Sequence, residues 1–190
     1  MTSFYIGLVH YPIYNKHGEV VTTALTNYDL HDIARSATTY DVRRYFIIHP
    51  VPAQRELARD IMAHWQTGFG ATYNPDRKTA FGDVALVTAL DEAVAAIEEE
   101  TGRRPKIITT DARVYPHTVS YRRLREEIAT GDESWLLLFG TGYGMTKEMM
   151  QDFDYILEPI YGAGTYNHLC VRAAAAIILD RLLGEAWWQS

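Results

Sequence analysis

Two glycine-rich turns are the stretches of this chain best suited to chemistry. The first is Gly140, Thr141, Gly142, Tyr143, Gly144, entered from the apolar run WLLLF that ends at Phe139. The second runs Ile160, Tyr161, Gly162, Ala163, Gly164, Thr165 and leads towards a long alanine-rich segment. A third polar strand end is Thr109, Thr110, Asp111, behind PKII. Glycine admits positive φ and lets a ligand approach the backbone with no Cβ in the way. Amides in such a loop read an adenine edge or hold a carboxylate, and the start of a following helix favours negative charge. One glycine turn alone is usually a tight connection. Two of them on adjacent strands, with a third polar strand end, point to a nucleotide-like cofactor at one end of a sheet.

The elements that must position these turns alternate along the chain. FYIGLVH (4–10), RRYFIIH (43–49), VALV (84–87), PKIITT (105–110), WLLLF (135–139) and YIL (155–157) read as strands. Helices are expected from a cap at Thr26 or Asn27, over 53–65, after Thr88 to a stop at Gly102, over 118–130, and over 166–183. Residues 15–18 read as a turn, and 68–76, with Gly68, Gly70, Asn74 and Pro75, as a loop. This alternation predicts an α/β fold, a mainly parallel sheet with helices on both faces, in a single domain over 1–190.

Composition narrows the function classes. Forty-seven per cent of the 190 residues are hydrophobic, which supports a sizeable core. A net charge of −6 argues against a protein that grips nucleic acid everywhere by charge. Arginine clusters remain at Arg43–Arg44, Arg103–Arg104 and Arg122, Arg123, Arg125; each alone reads as a solvated face. The single cysteine, Cys170, excludes a disulfide framework and points to a cytoplasmic setting. With one cysteine no metal site is expected. The most apolar segment, LCVRAAAAIILDRLL, is broken by Arg172, Asp180 and Arg181, so no membrane span is expected.

A dinucleotide-binding fold is the competing reading. Gly140-Thr-Gly142 follows a strand, and Glu158 ends the next one near the spacing of a ribose-binding acid. Against it, Met145 stands at the third glycine position, and the turn after FYIGLVH has no glycine cluster. A phosphate-binding P-loop is absent.

The segment EPIYGAGTYNHLCVRAAAAIILDRLL resembles the last motif of the SPOUT RNA methyltransferases, nearest to the bacterial tRNA guanine-methylating enzymes, through Pro159, Gly162, Gly164, Tyr166, Asn167, His168, Leu169, Val171 and Arg172. WLLLFGTGYGM resembles the middle motif, and NYDLHDIAR (27–35) the first. The resemblance covers most of the chain and implies a small stand-alone RNA methyltransferase. It implies a C-terminal trefoil knot, against the general rule that chains do not thread loops. It also implies S-adenosylmethionine (SAM) held by Thr109, Thr110, Asp111, by Phe139 to Gly144, and by Ile160, Tyr161, Gly162, Gly164, Thr165, Tyr166, Asn167, His168 and Leu169. Arg35 and Asn167 are the catalytic residues so implied, with His168 and Asp111 as possible bases. The implied partners are an RNA substrate (tRNA or rRNA) and a second copy, packed through the last helix with Trp187 and Trp188 beyond it. Gly142 stands where the ribose-methylating branch carries a glutamate, and Thr165 where the guanine-methylating branch carries an aspartate. The alternatives are a non-catalytic module binding SAM or RNA and, behind it, an NAD-dependent enzyme.

Overall fold

The computed structural model describes residues 2–185. Six parallel strands form one sheet: β1 (Ser3–Val9), β4 (Arg44–Ile48), β5 (Val84–Val87), β6 (Lys106–Thr109), β7 (Ser134–Gly140) and β8 (Tyr155–Ile156), in the order β5-β4-β1-β7-β6-β8. The longest registers flank β1, Ser3 to Val9 against Ser134 to Gly140 and Tyr5 to Val9 against Arg44 to Ile48. Successive residues of β1 enter opposite faces, with Phe4, Ile6 and Leu8 in one buried cluster and Tyr5 and Val9 in the other. Burial on both sides explains why the central strands read as continuous apolar runs.

One face carries α1 (Asn27–Thr39), α2 (Pro52–Gln66), α4 (Pro75–Ala80), α6 (Tyr121–Thr130) and α8 (Val171–Leu183); the other carries α5 (Leu90–Thr101) and α7 (Lys147–Met150). Thr26 caps α1, its hydroxyl accepting from the Asp29 amide at 3.1 Å. Gly102 closes α5 at φ 75°. A two-stranded hairpin, β2 (Ile13–Tyr14) with β3 (Val20–Val21), turns through residues 15–18 as expected.

Three expectations are corrected. Residues 68–76 are mostly helical, forming α3 (Phe69–Tyr73) and the start of α4. Asn74 accepts from the Arg77 amide and Pro75 occupies the first turn, so these residues start a helix where they had signalled a loop. The last helix begins at Val171, not 166, and its first residue has no side-chain cap. Asn167, the residue best able to cap an earlier start, donates its amide to the Ala112 carbonyl at 2.9 Å. Finally, β7 and β8 are not neighbours, because β6 lies between them.

That last point separates two folds. Counting only the parallel strands, the order is 3-2-1-5-4-6. The dinucleotide-binding fold runs 3-2-1-4-5-6. Its glycine turn opens a full helix, whereas here the turn after β7 meets the four-residue α7. Glu158, the proposed ribose acid, accepts from the Tyr121 amide at 2.9 Å and anchors the start of α6. The NAD reading fails on each count.

Candidate functional site

The C-terminal ends of β7, β6 and β8 are consecutive in the sheet, so the loops leaving them share one edge. The loop after β6 joins the other two. Asp111 is the knot of that join: its carboxylate accepts from the Arg113 amide at 2.9 Å, from Arg113 Nε at 2.8 Å and from Tyr115 Oη at 3.0 Å, and it pairs with Arg113 Nη2. Arg113 then donates to the Met145 carbonyl at 3.0 Å, crossing to the loop after β7. Asn167 crosses from the third loop to Ala112. Thr110 turns back onto β7, its amide and hydroxyl both reaching the Leu138 carbonyl. The Asp111 carboxylate and burial together push the Tyr115 phenol up to about 12, with burial the larger cause, so it stays a neutral donor.

The loop after β7 is held in a left-handed conformation at Gly142 (φ 55°) and Gly144 (φ 94°). A Cβ on Gly144 would stand 2.9 Å from Arg113 Nη2 and 3.2 Å from Asp111 Oδ2. One on Gly142 would stand 3.0 Å from Ile13 Cγ2. The position of the ribose branch's glutamate is therefore closed here by both backbone and hairpin. By contrast Gly162 and Gly164 have negative φ and open space around them. In the third loop glycine leaves room and makes no strained turn.

The hairpin clamps the middle loop from the opposite side. Tyr14 donates its amide to the Gly144 carbonyl and accepts from the Tyr143 amide, at 3.0 and 3.1 Å. Thr141 donates its hydroxyl to the Val9 carbonyl at 3.1 Å and shares a hydrogen bond with the Thr23 hydroxyl. Thr23 also meets His10 Nδ1 at 3.0 Å, and its carbonyl accepts from His49 Nε2 at 2.9 Å. The two imidazoles stack with ring centroids 4.8 Å apart, both buried. Burial, with His49 as a second cause, takes His10 down to about 3, and burial lowers His49 as well. Both rings are neutral at physiological pH. With Thr141 donating to Val9 and Thr23 to Thr141, His10 Nδ1 donates to Thr23 and its buried Nε2 has no partner among the described residues.

The expected site residues thus divide. Those after β6 and β7 and Asn167 are bonded into one cluster. Ile160 packs against the core, while Tyr161, Thr165, Tyr166, His168 and Leu169 are exposed, with Tyr166 edge-on to His168 at 5.5 Å. Arg35 is exposed on α1 and no bond joins it to the three loops. Arg172, in the first turn of α8, reaches α1 instead, 3.3 Å from Asp32 and 3.5 Å from Asp29. Sequence reading missed Arg113, Tyr115, Tyr14, Thr23 and His10. Asp111-x-Arg113-x-Tyr115 carried a usable signal, an acid, a base and a phenol at every second position behind a strand. Trp187 and Trp188 lie outside the described residues.

A family model described as SAM-dependent RNA methyltransferase matches residues 3–184. A protein of Aquifex aeolicus (strain VF5), named only as uncharacterized, is 49% identical over 181 residues, covering 95% of this chain and 88% of its own. A tRNA (guanine-N(1)-)-methyltransferase of Oleidesulfovibrio alaskensis is 44% identical over 186 residues, 97% of this chain. The match spans only 43% of that relative's length. Among solved structures, the TrmH/SpoU tRNA modifying enzyme of A. aeolicus superposes with a TM-score of 0.52 at 17% identity, over 96% of this chain and 73% of its own. That likeness is one of fold.

Proposed function

This chain belongs to the SAM-dependent RNA methyltransferase family, and on that premise we propose that it moves a methyl group from SAM to a base nitrogen or ribose 2′-oxygen of tRNA or rRNA, as one methyltransferase unit over 1–190. The observation that carries the reading is the bonding of three strand-end loops into one cluster by Asp111, Arg113 and Asn167. The residues fit the cofactor. Thr109 ends β6 with a buried hydroxyl that has no partner among the described residues, and the glycines of the third loop stand beside open space.

In this reading Thr109, Thr110 and Asp111, residues 139–144 and residues 160–169 hold the cofactor. When bound, SAM supplies an electrophilic methyl group. The protein's task is then to align the acceptor atom and remove its proton. Asp111 is spent on four donors, so it holds the loops and does not take the proton. His168 is the exposed imidazole of the third loop and is the base in this proposal. Asn167 fixes the third loop against the first, and Arg35 presents a guanidinium to an RNA phosphate. The guanine-N1 activity in the name of the Oleidesulfovibrio alaskensis relative stays with that longer protein; tRNA as the RNA species is the part it supports here.

A homodimer through α8 completes the proposal, with the trefoil threading of the family. Its support is the helix itself: Ala175, Ile178, Leu179 and Leu182 are buried, while Ala173, Ala176 and Ile177 form a second, half-exposed apolar face. The cytoplasm is the proposed location, supported by a lone exposed Cys170; no helix among the described residues is long and apolar enough to cross a membrane. Calorimetric titration with SAM is the first test. Saturable binding is expected, and folded protein that binds none at millimolar ligand would end the proposal.

A further inference from the structure

Between α1, α2 and α4 lies a cavity of about 560 Å³. Its volume is in the range of small-molecule sites. None of its lining residues belongs to the cofactor loops. Trp65 forms part of the wall, half-buried, and its plane is fixed by three neighbours. The Arg77 guanidinium lies over the ring, 4.5 Å from its centroid, and His64 and His31 meet it edge-on at 5.0 and 5.6 Å. Arg77 makes no ion pair among the described residues, although Asp32 and Asp60 line the same cavity. Tyr28 at the mouth is 69% exposed, with the Arg172 guanidinium 5.4 Å from its ring centroid.

The hydrogen-bonding groups are of the matching kind. His31 Nδ1 is buried and has no hydrogen-bond partner among the described residues. Burial and the nearby Arg77 keep that ring neutral, so it offers one donor and one acceptor. Asn27 adds a neutral amide, while Asp32 and Asp60 bring two carboxylates to the wall. Aromatic planes backed by guanidinium, a cation without an ion pair and neutral edge-reading groups, here His31 and Asn27, are elements by which proteins bind single-stranded nucleotides. Arg172, three residues beyond Leu169, pairs with Asp32 of the α1 wall and with Asp29 behind it, linking that helix to the start of α8.

We propose that this α1–α2–α4 cavity is a second RNA subsite, taking one unpaired nucleotide of the substrate other than the methylated one, with its base against Trp65 and its phosphate on Arg77. The proposal rests on the RNA methyltransferase reading. Its strongest rival is that a second copy of the chain fills the cavity.

The test combines crosslinking with two variants. Single-stranded regions of in vitro tRNA transcripts carrying 4-thiouridine are photocrosslinked to the full chain, and the adducts are mapped by mass spectrometry. The same transcripts are titrated against Arg77→Ala and Trp65→Phe, with SAM affinity and native mass measured in parallel. Adducts at Tyr28 or Trp65, and about a tenfold loss of RNA affinity in Arg77→Ala with SAM affinity unchanged, are expected from the size of a lost stacking or phosphate contact. Trp65→Phe retains a stacking plane and should lose less. RNA binding by the wild type with adducts elsewhere and both variants unaffected would overturn the subsite and leave the methyltransferase reading intact. A variant that becomes monomeric while still binding RNA would assign the cavity to the second copy and overturn the proposal. Failure of the wild type to bind RNA in the presence of SAM would count against both readings together.

Discussion

Replacing Gly144 with alanine tests how the middle loop is held. At φ 94° an L-residue adopts a left-handed backbone, which costs about 1–2 kcal/mol. The new Cβ would stand 2.9 Å from Arg113 Nη2, so the guanidinium must shift off the Met145 carbonyl. A charge-assisted bond of this kind contributes about 1.5–3 kcal/mol, and the lower end applies because the Arg113 side chain is 35% exposed. The sum is about 3 kcal/mol, felt wherever the loop must keep this shape. Urea unfolding should therefore show a loss of about 2–3 kcal/mol, and SAM affinity should fall about 100-fold. Gly162→Ala is the control. Nothing lies within 4 Å of its Cβ and its φ is ordinary, so stability should change by less than about 0.5 kcal/mol. Equal stability and SAM affinity in Gly144→Ala and wild type would refute the claim that Arg113 and this backbone set the loop.

Three further outcomes follow from the same contacts. His10 sits at about 3 in the folded protein against about 6.5 when unfolded, so between those values the unfolded chain binds the extra proton. Stability is complete above about pH 6.5 and falls with acid by about 1.4 kcal/mol per pH unit; urea titrations at pH 7, 6 and 5 should show that slope, and His10→Asn should flatten it. Thr23→Val strands the His10 Nδ1 donor and unlinks Thr141, costing about 2 kcal/mol and weakening SAM binding, whereas Thr23→Ser should restore both. Asp111→Asn removes the anion that orders Arg113 and Tyr115, so it should lower stability by about 2 kcal/mol and raise the SAM dissociation constant; unchanged stability with methyl transfer abolished would instead make Asp111 the base.

The sheet was legible because its strands are buried on both faces and therefore uninterrupted runs, from FYIGLV to WLLLF. The start of α1, marked by its Thr26 cap, was placed correctly. The start of α8 was not, because Cys170 makes no cap bond and the Asn167 amide is used on a carbonyl 55 residues away. Strand order is not encoded in local pattern at all, so β6 between β7 and β8 could only be seen in three dimensions. The same holds for the site. The glycines of 140–144 announced themselves, but their clamps, Thr23 and Tyr14 on one side and Arg113 on the other, lie far from them in sequence. The cavity around Trp65 was hidden by its own sequence, where Gly68, Gly70, Asn74 and Pro75 suggested only a loop.

The most direct measurement of the central claim is methyl transfer itself. The full chain is incubated with methyl-labelled SAM and RNA from cells lacking the corresponding gene, and the RNA is digested to nucleosides. Label in one nucleoside at one RNA position, lost in Asn167→Ala, is the predicted result. A folded protein that binds SAM in the three-loop cluster yet leaves every nucleoside unlabelled would contradict it, and would leave a SAM- or RNA-binding module in place of an enzyme.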